Sequence, residues 1–209
     1  MRIDFNTLNP TQAYHLMTQS IVPRPIAWVL TENDASDEAS PYNLAPFSYF
    51  NAVASDPPML MFSIGMKPDG SKKDTLLNIE RSEKLVIHIA SSGHIEALNQ
   101  SAASLPYGES ELAQSALSTS EFDGFPLPRL SDAKIALGGT LNHFHIIGNA
   151  AQTLAFVNLE VAYYADEIVQ QDESNGRITI DAKSLDPLAR MGGINYAFLG
   201  KFLSLKRPA

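Results

Sequence analysis

The sequence predicts a mainly β protein, an antiparallel barrel with a few peripheral helices. Short apolar runs recur along the 209-residue chain and are bounded by turn residues. They follow one another in meander order, and only brief stretches show helical spacing. No internal repeat or linker is evident, so residues 1–209 are predicted to form a single domain.

The first predicted elements are a short helix and a buried strand. Asn9 and Pro10 suit the N-cap and the first position of a helix that continues towards Ile21. The apolar run at residues 26–30 follows two prolines and predicts a core strand. The acidic stretch at residues 34–39 predicts a hairpin turn after it.

The run at residues 40–51 has the most unusual composition. It holds two each of proline, tyrosine, phenylalanine, asparagine and serine. Because each proline removes a backbone donor and fixes φ, we predict neither an ordinary strand nor a helix here. Asn43, Ser48 and Asn51 offer hydrogen bonds beside aromatic side chains. This combination suits a flat ligand with polar edges.

The middle of the chain alternates strands with short helices. Residues 59–64 and 85–89 predict core strands, and residues 68–71 have turn composition. A helix is predicted to open at Asp74. Residues 94–117 then show helical spacing. The predicted core-facing positions of that stretch are Ile95, Leu98, Leu112 and Leu117.

The last part of the chain predicts a further group of strands. A proline-rich loop at residues 122–130 comes first, and residues 141–147 and 154–164 then predict an antiparallel pair. Short strands are predicted at residues 177–180 and 198–205. The paired glycines at residues 138–139 and 192–193 are interpreted as turns.

Composition excludes several classes of function. The chain is 44% hydrophobic and has a net charge of −8, so it can bury a sizeable core and is a poor candidate for nucleic-acid binding. It has no cysteine, which excludes disulfides, thiolate zinc sites and thiol catalysis and fits a cytoplasmic protein. Neither a signal peptide nor a membrane span is predicted.

Several well-known catalytic patterns are absent from the sequence. There is no Gly-x-Ser-x-Gly nucleophile elbow and no Gly-x-Gly-x-x-Gly dinucleotide loop. His143 and His145 share one face of a predicted strand. Since no third ligand stands at a suitable spacing, no metal site is predicted.

A cluster of lysines precedes the helix predicted at Asp74. They are Lys67, Lys72 and Lys73. Because a helix N-terminus attracts anions, Ser71, Lys73, Thr75 and backbone amides could hold a phosphate there. The alternative is a solvated turn with Asp74 as the N-cap, and the residues alone leave both interpretations open.

Three further residues each allow two interpretations. Ser63 lies in an apolar strand, where it could be a hydrogen-bonded core serine or a ligand residue. Trp28 is favoured as a core aromatic. Arg190 precedes two glycines, so it could approach a ligand or partner chain, or it could sit in a surface turn with a structural ion pair.

Four motifs in order resemble one family. They are Arg-Pro-Ile-Ala-Trp-Val at residues 24–29, Asn-Leu-Ala-Pro-Phe-Ser-Tyr-Phe at 43–50, Lys-Asp-Thr-Leu-Leu-Asn-Ile-Glu at 73–80, and Leu-Ala-Arg-Met-Gly-Gly at 188–193 with Tyr196. From about residue 20 to residue 208 the chain resembles the flavin reductase-like FMN-binding proteins, including flavoredoxins. The resemblance implies a split β-barrel that binds FMN, usually as a homodimer with the flavin near the subunit interface.

The resemblance also implies which residues bind the cofactor. In such proteins the Asn-x-Ala-Pro-x-Ser segment lies along the isoalloxazine ring and ribityl chain. The strand serine and the Lys-Asp-Thr turn lie near the phosphate, and the C-terminal arginine has a less defined role. The implied residues are Asn43, Leu44, Ala45, Ser48, Ser63, Lys73, Asp74, Thr75 and Arg190.

The function that follows is an FMN-dependent oxidoreductase that uses NAD(P)H and resembles a flavin reductase. An alternative is an electron carrier of the flavoredoxin kind, which holds FMN and takes electrons from a redox partner protein. It would show no steady-state NAD(P)H turnover. A third alternative is a barrel with no flavin role, and the intact motifs at residues 43–48 and 73–75 argue against it.

Overall fold

The computed structural model describes residues 1–34, 41–103, 105–106, 109–149, 151–206 and 208. Its strands are β1 (Ala27–Glu32), β2 (Tyr42–Phe47), β3 (Phe50–Ser55), β4 (Pro58–Ile64), β5 (Lys84–His88), β6 (Thr119–Ser120), β7 (Arg129–Leu130), β8 (Ile135–Ile147), β9 (Gln152–Tyr164), β10 (Val169–Gln171), β11 (Ile178–Ile180), β12 (Ala189–Arg190) and β13 (Tyr196–Ala197). Its helices are α1 (Pro10–Ser20), α2 (Asp74–Ser82), α3 (Ile95–Gln100), α4 (Glu111–Gln114) and α5 (Ala182–Leu185), and 3-10 turns span Phe5–Thr7, Ser92–His94 and Asp166–Ile168.

One antiparallel sheet of seven strands, in the order β2-β1-β5-β8-β9-β4-β3, forms the body of the fold. The sheet curls until strands that are not neighbours in this order touch. The ring centroids of Phe47 in β2 and Phe62 in β4 are 5.3 Å apart. In addition, the Ser63 N–H donates to Tyr49 O at 2.9 Å. The predicted mainly β fold, with an antiparallel barrel and few helices, is confirmed.

Strand β1 is the centre of the core because both of its faces are buried. Trp28 and Leu30 point into an apolar cluster that includes the segment before β8. Val29 points the other way, into a cluster with Leu76 and Ile79 of α2. Helix α2 therefore packs against the barrel, and its first turn is held next to strands β1 and β2.

Several local predictions are confirmed. Asn9 caps α1, and its side chain and that of Gln12 form a reciprocal capping box. Trp28 is fully buried as a core aromatic, and its Nε1 donates to Ser101 Oγ at 2.8 Å. The turn at residues 68–71 and the helix that opens at Asp74 are also present.

The prediction that residues 40–51 form no ordinary strand is wrong. Residues from Tyr42 onward form β2 and then β3. Strand β2 stands at one end of the sheet, and Pro46 lies opposite Trp28 in the pair with β1. A proline is accepted on an edge strand because its missing N–H would face away from the neighbouring strand.

Other segment predictions need correction. The pair Gly138 and Gly139 is no turn, since both lie inside β8 where the register with β9 shifts. The predicted strand at residues 198–205 has no regular structure, and the short pair β12–β13 precedes it. Among the described residues of 94–117, α-helix is limited to α3 and α4, and β7 ends the predicted loop at residues 122–130.

The segment between β1 and β2 is only partly described by the structure. The turn predicted at residues 34–39 falls mostly on residues 35–40, which lie outside the described residues. The strands on either side of it, β1 and β2, do pair antiparallel. In the described part of the chain, no helix is long and apolar enough to span a membrane.

Candidate functional site

A hydrogen bond joins the two segments that the sequence motifs singled out. Asn43 in β2 donates through Nδ2 to Thr75 Oγ1 in α2 at 3.0 Å. Both residues are almost fully buried. The edge of the barrel and the first turn of α2 thus form two walls of one site.

The start of α2 differs from the alternative that places Asp74 as the N-cap. Lys73 is the N-cap, with an extended backbone and no side-chain capping bond, and Asp74 is the first helical residue. The N–H groups of Leu76 and Leu77 bond to Lys73 O. Ser71 is exposed, and its Oγ donates to Asp69 Oδ1 at 2.7 Å.

The charges near this helix start are paired and partly buried. Lys67 Nζ lies 2.6 Å from Asp74 Oδ1. Lys73 Nζ stands 5.7 Å from the centroid of the Phe47 ring. Burial lowers the pKa of Lys73, and the neighbouring Lys67 ammonium lowers it further. Lys72 points elsewhere and pairs with Glu80 at 2.7 Å.

A buried carboxylate completes this end of the site. Glu111, at the start of α4, accepts a hydrogen bond from the Leu44 N–H at 3.0 Å through Oε2. Only 8% of Glu111 is exposed. Burial raises the pKa of Glu111, and the Asp74 carboxylate adds to the rise, while the Leu44 N–H and Lys67 act in the opposite direction.

These residues line two clefts that share Pro46 and Ala102, and we call the two together the groove. Its lysine end is lined by Asn43, Ala45, Pro46, Lys67, Lys73, Asp74, Thr75, Ser101, Ala102, Ala103, Leu105 and Glu111. Its arginine end is lined by Ile26, Pro46, Ser48, Leu98, Asn99, Ala102, Arg190 and Tyr196. The groove thus joins a charged end to a more apolar stretch and carries a cation at each end.

Arg190 is held firmly in the arginine end. Its guanidinium donates to Gly193 O at 2.6 Å and to Asn195 O at 3.3 Å. It also stacks on the Tyr196 ring, 4.5 Å from the centroid. The Tyr196 hydroxyl bonds to Asn99 Oδ1 at 3.2 Å. Arg190 therefore closes the turn at residues 191–195 through carbonyl groups, and its outer face borders the groove.

Most of the residues that the resemblance implied lie along the groove: Asn43, Ala45, Ser48, Lys73, Asp74, Thr75 and Arg190. Leu44 is different, because its side chain is fully buried in the core and its amide is bonded to Glu111. Ser63 stands apart from the groove lining. Its hydroxyl donates to Gln152 Oε1 at 3.2 Å, so its place in a ligand site stays a prediction.

Glu111 is the site residue that the sequence motifs missed. It lies 67 residues from Leu44 along the chain. It also lies within residues 94–117, a stretch whose helical spacing pointed only to apolar core positions. No local pattern at Glu111 signals a site, and only the folded chain brings it to β2.

The flavin reductase like domain model matches residues 18–170. The chain belongs to this family. A solved structure of nitrilotriacetate monooxygenase component B from Bacillus cereus is 32% identical, covers 98% of each chain and has a TM-score of 0.87. The protein YwrF of Bacillus subtilis is 34% identical, over 97% of this chain and 96% of its own length.

Two further solved structures extend this comparison. The 2-nitrobenzoate 2-nitroreductase NbaA of Pseudomonas fluorescens is 27% identical, over 100% of this chain and 96% of its own, with a TM-score of 0.84. A solved structure from Shewanella frigidimarina with a split barrel domain is 18% identical over the full length of both chains, with a TM-score of 0.81, and shows the fold alone. The flavin reductase-like chain is therefore a split β-barrel, as the sequence motifs implied.

Proposed function

We propose that this chain binds FMN in the groove and acts as an NAD(P)H-dependent oxidoreductase of the flavin reductase kind. The observation that carries this proposal is the groove itself, which joins a helix start with two lysines to a more apolar stretch beside Pro46 and Ala102. FMN has matching parts, an anionic phosphate at one end and a flat ring at the other. Membership of the flavin reductase-like family supports a flavin as the ligand.

The lysine end has the groups that a phosphate needs. Lys73 and the uncapped first turn of α2 offer charge and N–H donors, and Thr75 offers a hydroxyl that Asn43 holds in place. The carboxylates of Asp74 and Glu111 oppose this charge, and Lys67 offsets Asp74 through their ion pair. We therefore assign Lys73, Asp74 and Thr75 to the phosphate side of the site.

The stretch towards the arginine end suits the ring and ribityl chain. Ala45 and Pro46 are small or rigid residues on an edge strand, so a flat ring can approach the backbone there. Ser48 and Arg190 border the same stretch and provide polar groups. We assign these residues and the backbone near Leu44 to the ring side, and Ser63 stays a proposed member of the site.

When bound, a flavin supplies the redox chemistry, and the protein positions it and tunes its electronics. The described residues fit this division of work, since their part is to bind, orient and shield a ligand. The names of two similar proteins, a monooxygenase component and a nitroreductase, support an oxidoreductase without specifying the acceptor of this chain.

A second candidate is a flavin-bound electron carrier that serves a redox partner protein. The net charge of −8 favours it, because an acidic surface attracts a basic partner. Steady-state oxidation of NADH or NADPH distinguishes the two. The enzyme turns over either donor with free FMN as acceptor, whereas the carrier turns over neither.

We also propose that the protein is a homodimer. Met17 and Ile21 of the α1 region are 41% and 65% exposed, and they border an apolar cleft with Phe50 and Met61. A second copy would cover this surface. Sedimentation should give twice the monomer mass, and the double variant M17E/I21E should sediment as a monomer. A wild-type monomer at micromolar concentration would contradict the proposal.

The test of flavin binding is direct. Purified protein should show flavin absorbance bands, release FMN on denaturation, or bind added FMN. The double variant K73A/T75A should retain FMN less well, whereas K201A, an exposed lysine outside the groove, should behave like the wild type. A colourless protein that neither releases nor binds FMN would overturn the proposal, and unchanged affinity in K73A/T75A would overturn the phosphate assignment.

A further inference from the structure

Two consecutive residues hold the outer edge of β2. Ser110 donates through Oγ to Tyr42 O, and Glu111 accepts from the Leu44 N–H at 3.0 Å. The edge strand thereby has polar partners on the side where no other described strand pairs with it. A neutral amide at position 111 could accept the same bond, so the edge alone does not explain a buried carboxylate.

Charged groups from several elements surround Glu111. Asp74 of α2 raises the pKa of Glu111, and Lys67, which follows β4, lowers it. Lys73 lines the same end of the groove. The formal charges of these four groups cancel when both carboxylates are ionised. One proton on Glu111 leaves a net positive charge of one, which favours a phosphate that carries about −1.5 to −2 near pH 7.

We propose that Glu111 makes the binding of a phosphate-bearing flavin at this site depend on pH, because its carboxyl group takes up a proton when the phosphate binds. The inference rests on the proposed function, since the phosphate is that of FMN. Binding of riboflavin, which has no phosphate, should take place without this proton. Glu111 is in this sense the residue that couples proton uptake to phosphate binding at the lysine end.

The direction of the effect follows from charge. Burial and Asp74 already raise the pKa of Glu111, and a phosphate in the same cleft would raise it further. FMN therefore binds better to the protein in which Glu111 is protonated. As pH rises, the affinity of the wild type for FMN falls relative to that of a variant with a permanently neutral residue at position 111. The ionisation of the phosphate itself affects the Kd of the wild type and that of the neutral variant equally, so it cancels in the ratio of the two Kd values.

The experiment compares wild type, E111Q and E109Q across about pH 5.5 to 8.5 by flavin fluorescence titration. Gln at position 111 keeps an oxygen that can accept from Leu44, and Glu109 is an exposed neighbour. The Kd of the wild type for FMN divided by that of E111Q should be near one at the acid end of this range. The ratio should rise about tenfold towards high pH, which corresponds to a rise of one unit in the pKa of Glu111 when FMN binds. The same ratio for riboflavin should stay constant, and E109Q should follow the wild type.

A ratio for FMN that does not change with pH would overturn the inference while the proposed function stands. If neither the wild type nor the variants bind any flavin, the proposed function fails. NMR of the flavin-free protein then tests whether phosphate raises the pKa of Glu111. The Leu44 amide should titrate with Glu111, and inorganic phosphate should move its midpoint to higher pH. A midpoint that phosphate leaves unchanged would then overturn the role of Glu111.

Discussion

Asn43 and Thr75 form a buried hydrogen bond of 3.0 Å that ties the edge strand β2 to the first turn of helix α2. Only 2% of Asn43 and 1% of Thr75 are exposed. Because the two residues come from separate motifs, this bond fixes the distance between two walls of the groove. It should affect both the stability of the barrel and the shape of the site.

Replacement of Thr75 by valine should lower the free energy of unfolding of the flavin-free protein. Valine has nearly the same shape but no hydroxyl, so the Asn43 amide keeps its burial and loses its acceptor. An unsatisfied buried donor costs about 1–3 kcal/mol. Urea denaturation of the wild type and T75V measures the difference.

A double-mutant cycle tests whether this loss comes from the pair. N43A alone should also destabilise, and N43A/T75V should be less destabilised than the sum of the single variants by about 1 kcal/mol. Strict additivity would mean that Asn43 and Thr75 contribute independently, and the bond would then not account for the coupling of β2 to α2.

The sequence predicted the barrel well because its strands are apolar runs with clear ends. It failed where tertiary position overrides local preference. Pro46 argues against a strand only if the strand is central, and the position of β2 at the sheet edge removes that argument. Gly138 and Gly139 looked like a turn, but β9 approaches them so closely inside the sheet that a side chain would clash.

The candidate site was predictable in part for a related reason. Asn43, Lys73 and Thr75 stand in compact motifs, and the groove brings them together. Glu111 has no motif of its own, and its role depends on a contact with Leu44 across 67 residues of chain. Polar contacts of this kind are created by the fold, so no local pattern could have shown this one.

The amine of Lys73 should react with acetic anhydride at lower pH than an exposed lysine. Burial lowers the pKa of Lys73, and Lys67 lowers it further, so a larger fraction is neutral and nucleophilic below the usual range. Trace labelling followed by mass spectrometry gives the midpoint for each lysine. Added FMN should slow the reaction of Lys73, because a phosphate favours its charged form.

Exposed Lys201 is the internal reference for this measurement. The K67M variant should move the Lys73 midpoint upwards, since it removes the neighbouring positive charge and frees the Asp74 carboxylate. If Lys73 and Lys201 react over the same pH range in the wild type, Lys73 does not lie in a buried environment next to Lys67.

His88 should make the protein less stable in acid. Its Nε2 accepts from the Leu130 N–H at 3.0 Å, and its Nδ1 lies 3.1 Å from Trp28 O, so the buried ring is neutral. Burial lowers the pKa of His88 to about 4, and the charge of Arg129 contributes in the same direction. The unfolded chain takes up the proton first, at about pH 6.5.

The contribution of the neutral His88 ring to the free energy of unfolding is present above about pH 6.5. It is lost as pH falls towards 4, at about 1.4 kcal/mol per pH unit. H88Q should be less stable than the wild type at neutral pH, and the gap should narrow in acid, as urea denaturation at several pH values can show. H145Q, at an exposed histidine, should keep the wild-type slope. A gap that stays constant from neutral pH to acid would contradict the assignment.

Replacement of Gly139 by alanine should destabilise the barrel at the irregular pairing of β8 with β9. A Cβ at this position would lie 2.5 Å from Asn158 O and 2.8 Å from Val157 Cγ1. Because the first contact is with backbone, the strands must separate, and overpacking of this kind costs about 1–3 kcal/mol. G93A is the matched control, since its added Cβ would have no described atom within 4 Å apart from those of its own stretch of chain. Thermal unfolding should separate the two variants, and equal midpoints for G139A and G93A would show that β8 and β9 can part at no cost.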